Sequence, residues 1–194
     1  MKKFELYLPL KPQVITQGFG STANLQYYKD SGVSITKHNG IDYLAQRGQP
    51  VYACHDGTCY PGVDSKEGNG VVIRTDEDFE YEGNPTRFKT IYWHLVKSDA
   101  VVKTGQKVKA GDLIGYADST GLSTGNHLHF GLKPQRWNEN DWIWYNVDQD
   151  NGIMGAIDPN QYFNKYYAED AKNVEGVLRS IISLLEQVLL LLKK

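Results

Sequence analysis

The sequence predicts an all-β fold of mainly antiparallel strands, followed by one C-terminal α-helix. From residue 13 to about 132, short apolar runs are separated by glycine-containing turns roughly every eight to twelve residues, as in antiparallel sheets. After about residue 170 the apolar residues instead recur at alternating spacings of four and three, which indicates a helix. We therefore expect a β-domain at residues 1–166 and a helical tail at residues 167–194.

Composition and charge are those of an ordinary soluble globular protein. The chain has 194 residues, 40% of them hydrophobic, with 21 Lys and Arg against 23 Asp and Glu, for a formal net charge of −2. Because no basic run is present, the sequence predicts no nucleic-acid partner.

The N-terminal stretch MKKFELYLPLKP begins with two lysines, as a signal peptide does. Glu5 and Pro9 interrupt its apolar part, whereas a signal peptide needs about 7 to 15 apolar residues in a row. We expect this stretch to be the start of the β-domain rather than an export signal.

The two cysteines lie close together in the segment VYACHDGTCY. Asp56 and Gly57 are typical of a hairpin turn, so the segment predicts two short paired strands with Cys54 and Cys59 on either side of the turn. Free, half-buried thiols, a cross-strand disulfide and a metal site that includes His55 all remain open at this stage.

Two polar or aromatic segments interrupt the strand pattern. Residues 76–88 predict a polar hairpin tip, and an insert at residues 133–156 contains the aromatic stretch RWNENDWIWYN. The insert is either a loop whose rings cover part of the core or one wall of a substrate groove, which would make Trp142 and Trp144 substrate-binding residues.

The tail predicts a helix with a wide apolar face. The spacings of four and three connect Val174, Leu178, Ile181, Leu185, Val188 and Leu192, and Val177, Leu184, Leu189 and Leu191 widen the stripe. A stripe of this width favours a coiled coil of three or more helices, so we expect a homo-oligomer formed through residues 173–194. Docking on another protein or at a membrane surface is the alternative, since Arg179, Glu186 and Gln187 interrupt the roughly 20 apolar residues that a membrane span needs.

The stretch GNHLHF carries two histidines two positions apart. On a β-strand alternate side chains share a face, so His127 and His129 point the same way while Leu128 and Phe130 anchor the other face in the core. This arrangement suits a metal site but does not establish one.

Two further segments carry residues that can join this pair. His38 and Asp42 lie in HNGIDY, and His94 lies in YWHL. A catalytic zinc ion takes three protein ligands and leaves one position for water, so two histidines and one carboxylate would suffice, with two histidines left for proton transfer.

The segments HNGID, YWHL and STGNHLHF resemble, in order and spacing, the three motifs of the lysostaphin/LytM-type zinc endopeptidases, a family of peptidoglycan hydrolases. The resemblance also includes ITQGFG, GNGVVIRT, VKTGQKVKAGDLIGYAD and IDPNQYF, and so extends over most of residues 13–163. It implies the barrel-sandwich-like LytM fold.

The resemblance also implies a set of site residues. It implies one Zn²⁺ per chain on His38, Asp42 and His129, with His94 and His127 as the catalytic histidines. From the chemistry of the reaction, Tyr27 or Tyr28, upstream of His38, is a candidate for a further hydrogen-bond donor to the tetrahedral oxyanion and therefore for a substrate-binding residue.

The predicted function is zinc-dependent hydrolysis of peptide cross-links in bacterial peptidoglycan by metal-activated water. The alternative is a non-catalytic module of the same fold that binds or activates a partner. Action on the cell wall is compatible with the periplasm, the extracellular space or a phage virion or lysis enzyme such as an endolysin. Whether a glycyl or a D-amino-acid bond is cut stays open.

Overall fold

The computed structural model describes residues 2–164 and 166–192 of the chain. The strands in these ranges are β1 (Ile15–Gln17), β2 (Ile41–Leu44), β3 (Pro50–Tyr52), β4 (Gly57–Asp64), β5 (Gly68–Arg74), β6 (Phe79–Tyr81), β7 (Asn84–Trp93), β8 (Lys107–Val108), β9 (Leu113–Tyr116), β10 (His127–Asn138) and β11 (Ile143–Asn146). The helices are α1 (Leu25–Asp30), a 3₁₀ helix (Pro159–Gln161) and α2 (Ala168–Leu192).

One large antiparallel sheet dominates the described part of the chain. Its strands follow the order β1-β2-β10-β7-β5-β4-β8, with β11 paired to β10 and β6 paired to β7. The strands β3 and β9 form a separate two-stranded sheet. The predicted all-β fold with a C-terminal helix is confirmed.

The central strands of the large sheet are buried on one face and line a cleft on the other. In β10, Leu128, Phe130 and Leu132 have no exposed surface, as expected for the core side of an alternating strand. The histidines of the HxH pair lie on the opposite face, which settles the orientation that the alternation predicts.

The N-terminal segment is part of the core. Phe4, Leu6 and Leu10 are buried, and the Phe4 ring stacks on the Phe88 ring with centroids 4.1 Å apart. Leu6 also forms a bridge with Phe163, so the segment ties the start of the domain to the end of it.

The predicted hairpin around Cys54 and Cys59 is wrong. β3 pairs with β9, whereas β4 pairs with β5 and β8, so the two strands that flank the turn do not pair with each other. The Asp56 carboxylate accepts hydrogen bonds from the Ala110 amide at 2.9 Å and from the Lys109 ammonium at 2.8 Å, which ties the turn to a distant loop instead.

Of the three alternatives for the cysteines, the structure has free thiols, and they are fully rather than half buried. Burial raises the pKa of Cys59 to about 12, so this thiol stays protonated and unreactive at neutral pH.

The aromatic insert forms a hairpin and is not a loop. β10 continues to Asn138 and pairs with β11, placing Trp137 directly opposite Trp144. Trp137, Trp144 and Trp142 form an aromatic cluster, in which the ring of Trp142 lies 6.1 Å from that of Trp137. Trp142 is 77% exposed. The hairpin expected within residues 76–88 is present as β6 and β7.

The tail forms the predicted helix, α2, and presents its apolar residues to solvent. Among the described side chains the exposed apolar ones are Val174, Val177, Leu178, Ile181, Ile182, Leu184, Leu185 and Leu189. Residues 193 and 194 and the side chains at 188, 191 and 192, which the predicted stripe includes, lie outside what the structure describes. None of the described helices is long and apolar enough to cross a membrane.

Candidate metal centre

The register of three neighbouring strands brings the first two candidate ligands together. His129 of β10 lies opposite Asp42 of β2 on one side and opposite Trp93 of β7 on the other. Because directly opposite residues of an antiparallel pair point to the same face, the imidazole and the carboxylate project into the same cleft.

His38 completes a triangle of ligand atoms. Its Nε2 lies 3.1 Å from Nδ1 of His129 and 3.2 Å from Oδ1 of Asp42, and the third side, from His129 Nδ1 to Asp42 Oδ1, is 2.9 Å. The three side chains are buried, and their ligand atoms form the cluster that could hold a metal ion among the described residues.

This donor set fits zinc in both chemistry and size. Zinc binds imidazole nitrogen and carboxylate oxygen at about 2.0 to 2.1 Å, which puts tetrahedral ligand atoms about 3.3 to 3.4 Å apart. The observed separations of 2.9 to 3.2 Å need to widen only slightly. Burial alone would raise the pKa of Asp42, but the adjacent imidazoles of His129 and His38 lower it below its usual value, so the carboxylate is anionic.

Backbone groups orient His38 and His129. Nδ1 of His38 lies 3.1 Å from the carbonyl oxygen of Gly18, so Nδ1 carries the proton and Nε2 is left to bind a cation. Gly40 makes room for the second imidazole, because a Cβ atom there would lie 2.6 Å from Cε1 of His129. The glycine of HNGID is therefore required by the close approach of β2 to this ring.

The two remaining histidines lie beside the triangle. His94 and His127 have ring centroids 4.5 Å apart, and Nε2 of His127 is 3.8 Å from Oδ1 of Asp42. Nδ1 of His94 donates to the carbonyl of Thr120 at 2.6 Å, and Nδ1 of His127 donates to that of Gly125 at 2.8 Å. Both rings are thereby held with an unprotonated Nε2.

His94 adopts an unusual backbone conformation. It follows the last residue of β7 with φ = 64°, in the left-handed region that non-glycine residues rarely occupy. The pKa of His94 is lowered to about 4, mainly by burial and to a smaller extent by the neighbouring His127, so the ring is neutral. Such strained residues concentrate at functional sites.

Tyr28 lies in the same pocket as the five residues, and sequence reasoning did not separate it from Tyr27. Its ring is parallel to that of His38, and its hydroxyl is 3.5 Å from Oε1 of Gln17, a residue that also accepts a hydrogen bond from Asn24. Burial and the Asp42 carboxylate raise the pKa of Tyr28 well above its usual value, so the phenol keeps its proton. Gln17 and Asn24 were not predicted as site residues: Gln17 lies in the ITQGFG segment of the resemblance, but nothing in that segment indicates a role for it, and no motif includes Asn24.

Of the other predicted substrate-binding residues, Tyr27 lies at the candidate site and the two tryptophans do not. Tyr27 lines the pocket but is more exposed than Tyr28. Trp142 and Trp144 are not among the residues that line it. Trp144 lies on the same sheet face but packs over Arg74 and Arg87, eight residues along β10 from the rung of His129.

His55 is a structural histidine, as its lack of a partner motif suggested. Its Nδ1 donates to the Asp56 carbonyl at 2.8 Å, and its Nε2 accepts from the Thr90 hydroxyl at 2.9 Å. It lies outside the metal cluster.

Comparison with known proteins gives a consistent result. Residues 36–141, just over half of the chain, match the model of Peptidase family M23. The glycyl-glycine endopeptidase ALE-1 of Staphylococcus capitis is 37% identical over 99 residues, 51% of this chain and 25% of that protein. The DD-carboxypeptidase/endopeptidase Mpg of Neisseria gonorrhoeae is 39% identical over 94 residues, 48% of this chain and 19% of that protein.

The chain thus spans about a fifth to a quarter of the length of these curated relatives. Among solved structures, the catalytic domain of lysostaphin from Staphylococcus simulans is similar with a TM-score of 0.54 and 25% identity, covering 77% of this chain and 91% of that domain. The resemblance predicted from the three histidine motifs is confirmed, and the chain belongs to Peptidase family M23.

Proposed function

We propose that the chain is a zinc-dependent endopeptidase that hydrolyses peptide cross-links of bacterial peptidoglycan. One observation carries this proposal. In a domain of a peptidase family, three buried ligand atoms lie 2.9 to 3.2 Å apart beside two further imidazoles in one pocket.

His38, Asp42 and His129 would hold the ion. When bound, zinc would supply a nucleophile at neutral pH from water and would polarise the peptide carbonyl. The carboxylate of Asp42 attracts the cation, and the Gly18 carbonyl keeps Nε2 of His38 free to face it.

His94 and His127 would handle the proton and the developing negative charge. Each has an unprotonated Nε2 held by a backbone carbonyl on Nδ1, so each can accept a proton at Nε2 and then donate it to the leaving amine. Whichever ring carries the proton can also donate a hydrogen bond to the oxyanion. Nε2 of His127 is close to the ligand triangle, which suits the proton-accepting role.

Tyr28 is the better candidate than Tyr27 for a further hydrogen-bond donor to the substrate. It is half-buried beside His38 and keeps its phenolic proton, and its only hydrogen-bond partner among the described residues is a long contact to Gln17. A substrate carbonyl could therefore compete for this hydroxyl.

The proposal is tested by digestion of purified peptidoglycan with the zinc-loaded chain, followed by mass analysis of the products. We expect new amino termini at one type of cross-link, no products after chelation, and their return with added zinc. Since the relatives ALE-1 and Mpg are named for glycyl-glycine and DD-peptide cleavage, the substrate panel includes both bond types. Tight zinc binding with no cleavage of either would instead support a non-catalytic binding module.

A further inference from the structure

A second groove extends from the metal centre along the same face of the large sheet. It encloses about 540 Å³ and shares His129 with the metal centre. Its floor is formed by outward-facing side chains of β5, β7 and β10, including Trp93 and Ile91, and its opposite wall includes Glu67 and Met154.

A row of three cations crosses the sheet at this groove, of which Lys133 and Lys89 line the groove and Arg74 lies outside its lining. Lys133 of β10 lies directly opposite Lys89 of β7, which in turn lies directly opposite Arg74 of β5. Residues in such a register point to the same face, so three positive charges stand side by side. Like charges directly opposite each other destabilise a sheet.

Neither lysine forms a direct ion pair with a carboxylate in the described part of the chain. Neither ammonium group forms a hydrogen bond with another described residue. Arg74, in contrast, donates a hydrogen bond to Gln135 at 3.0 Å and packs against the Trp144 ring. Lys133 is only 9% exposed. Burial, together with repulsion from Lys133 and Arg74, lowers the pKa of Lys89 to about 8, and burial likewise lowers that of Lys133.

The cationic row lies at a defined distance from the metal ligands. Lys133 follows His129 by four residues in β10, which is about 13 Å at roughly 3.3 Å per residue. An extended peptide has nearly the same rise, so a peptide lying along the floor with its scissile bond at the metal would place a group about four residues away at the lysines.

We propose that Lys133 and Lys89 bind a free carboxylate of the substrate peptide about four residues from the scissile bond. This inference rests on the proposed function, because it takes the occupant of the groove to be a peptidase substrate. A carboxylate accepts hydrogen bonds from both ammonium groups and neutralises two adjacent charges, one buried and one partly buried, which a carboxamide cannot do.

Asp64, Lys66 and Glu67, at the turn between β4 and β5, also line the groove, and Glu67 affects the test. Glu67 is close enough to raise the pKa of Lys133, although no ion pair joins them among the described residues. If Glu67 only adds negative charge to the groove, Glu67→Gln will strengthen carboxylate binding. If Glu67 is instead the ion-pair partner of Lys133, the peptide with the free carboxylate will bind no more tightly than the peptide with the carboxamide.

The experiment uses two synthetic cross-linked stem peptides that differ only in one group, a carboxylate or a carboxamide about four residues from the cross-link. Binding to the zinc-loaded full chain carrying His127→Ala, which should not cleave them, is measured by fluorescence anisotropy. Charged hydrogen bonds contribute about 1.5 to 3 kcal/mol, so we expect the acid to bind roughly 10 to 100 times more tightly than the amide.

Matched variants test whether Lys133 causes the tighter binding of the carboxylate peptide. Lys133→Met should abolish it, Lys133→Arg should restore most of it, and Lys103→Met, at an exposed lysine outside the groove, should leave it unchanged. The melting temperature of Lys133→Met should not fall, because the substitution removes a buried, repelled charge. If Lys133 instead stabilised the fold, Lys133→Met would lower the melting temperature.

Equal binding of the two peptides, including no binding of either, overturns the proposal, and so does an unchanged preference in Lys133→Met. The proposed function fails separately if the chain with His127 intact cleaves neither peptide while the preference and its loss in Lys133→Met are both observed.

Discussion

Nδ1 of His129 lies 2.9 Å from Oδ1 of Asp42, although 87 positions separate the two residues in the chain. The pairing of β2 with β10 produces this contact, and His38 approaches the same carboxylate oxygen from the segment that precedes β2. The metal centre therefore depends on the sheet as much as on its ligands.

Asp42→Asn should abolish tight zinc binding, because it removes the only anionic ligand of the triangle. In the unsubstituted chain, saturating zinc at about 100 times its dissociation constant should add about 2.7 kcal/mol to the free energy of unfolding. Zinc content and the shift of the melting temperature on chelation check this, and the variant should lose both. Asp76→Asn, outside the pocket, should keep them.

Gly40→Ala should weaken zinc binding without changing a ligand. The new Cβ would overlap both the His129 ring and the Phe130 carbonyl, at 2.6 Å each, and overpacking of this kind costs about 1 to 3 kcal/mol. Gly62→Ala is the matched control, since a Cβ there meets nothing within 4 Å. Equal zinc affinity and equal unfolding free energies in the two variants would contradict the tight packing at Gly40.

His94→Ala and His127→Ala should each retain zinc and lose activity. Removal of a group that transfers a proton in the transition state lowers kcat by about 10² to 10⁴. Metal content measured beside kcat on the cleaved cross-link separates a catalytic defect from loss of the ion. Full activity in either variant would remove that histidine from the mechanism.

His55 should make the fold sensitive to acid. Its pKa is lowered by burial from 6.5 to about 4, so its contribution to stability is complete above pH 6.5 and is lost as the pH falls towards 4. Between these values the free energy of unfolding should fall by about 1.4 kcal/mol per pH unit on account of this group. Urea unfolding at pH 7 and pH 5 should show a smaller difference in His55→Gln than in the unsubstituted chain.

The helix α2 should drive self-association. Its exposed apolar face is wide enough for three or more helices, and the charged residues Glu175 and Arg179 pair with each other rather than forming the cationic face typical of membrane-surface helices. Sedimentation analysis of the full chain should give an oligomer, and Leu178→Glu with Leu185→Glu should give a monomer. Ser183→Glu, outside the apolar stripe, should not change the assembly.

The three candidate metal ligands could be predicted because each lies in a short segment whose spacing has a direct structural meaning. In GNHLHF the alternation alone places His127 and His129 on one face, and in HNGID the glycine and the carboxylate lie within four residues of His38. Gln17, Asn24 and the carbonyl of Gly18 were not predictable in this way, because they reach the site through the fold and not through a spacing.

Two predictions, the hairpin at Asp56 and Gly57 and the loop at the aromatic insert, were wrong because contacts with distant segments decide the local structure. An Asp-Gly pair usually closes a hairpin, but the hydrogen bonds of Asp56 to residues 109 and 110 override that local preference. One interpretation of the aromatic insert was a loop that covers part of the core, but β10 continues without a break and pairs with β11, so the insert forms a hairpin. The row of Lys89 and Lys133 needs the register of β7 against β10, which no single segment reveals.

β10 runs for twelve residues without interruption through the metal ligands, the lysine row and the tryptophan hairpin. Its alternation is a constraint on how such a chain can be altered. Inserting or deleting one residue between His129 and Lys133 would turn every side chain beyond it to the other face, sending ammonium groups into the core and apolar side chains into the groove. Engineering of the groove's length should therefore proceed in steps of two residues, or be confined to the turn between β10 and β11.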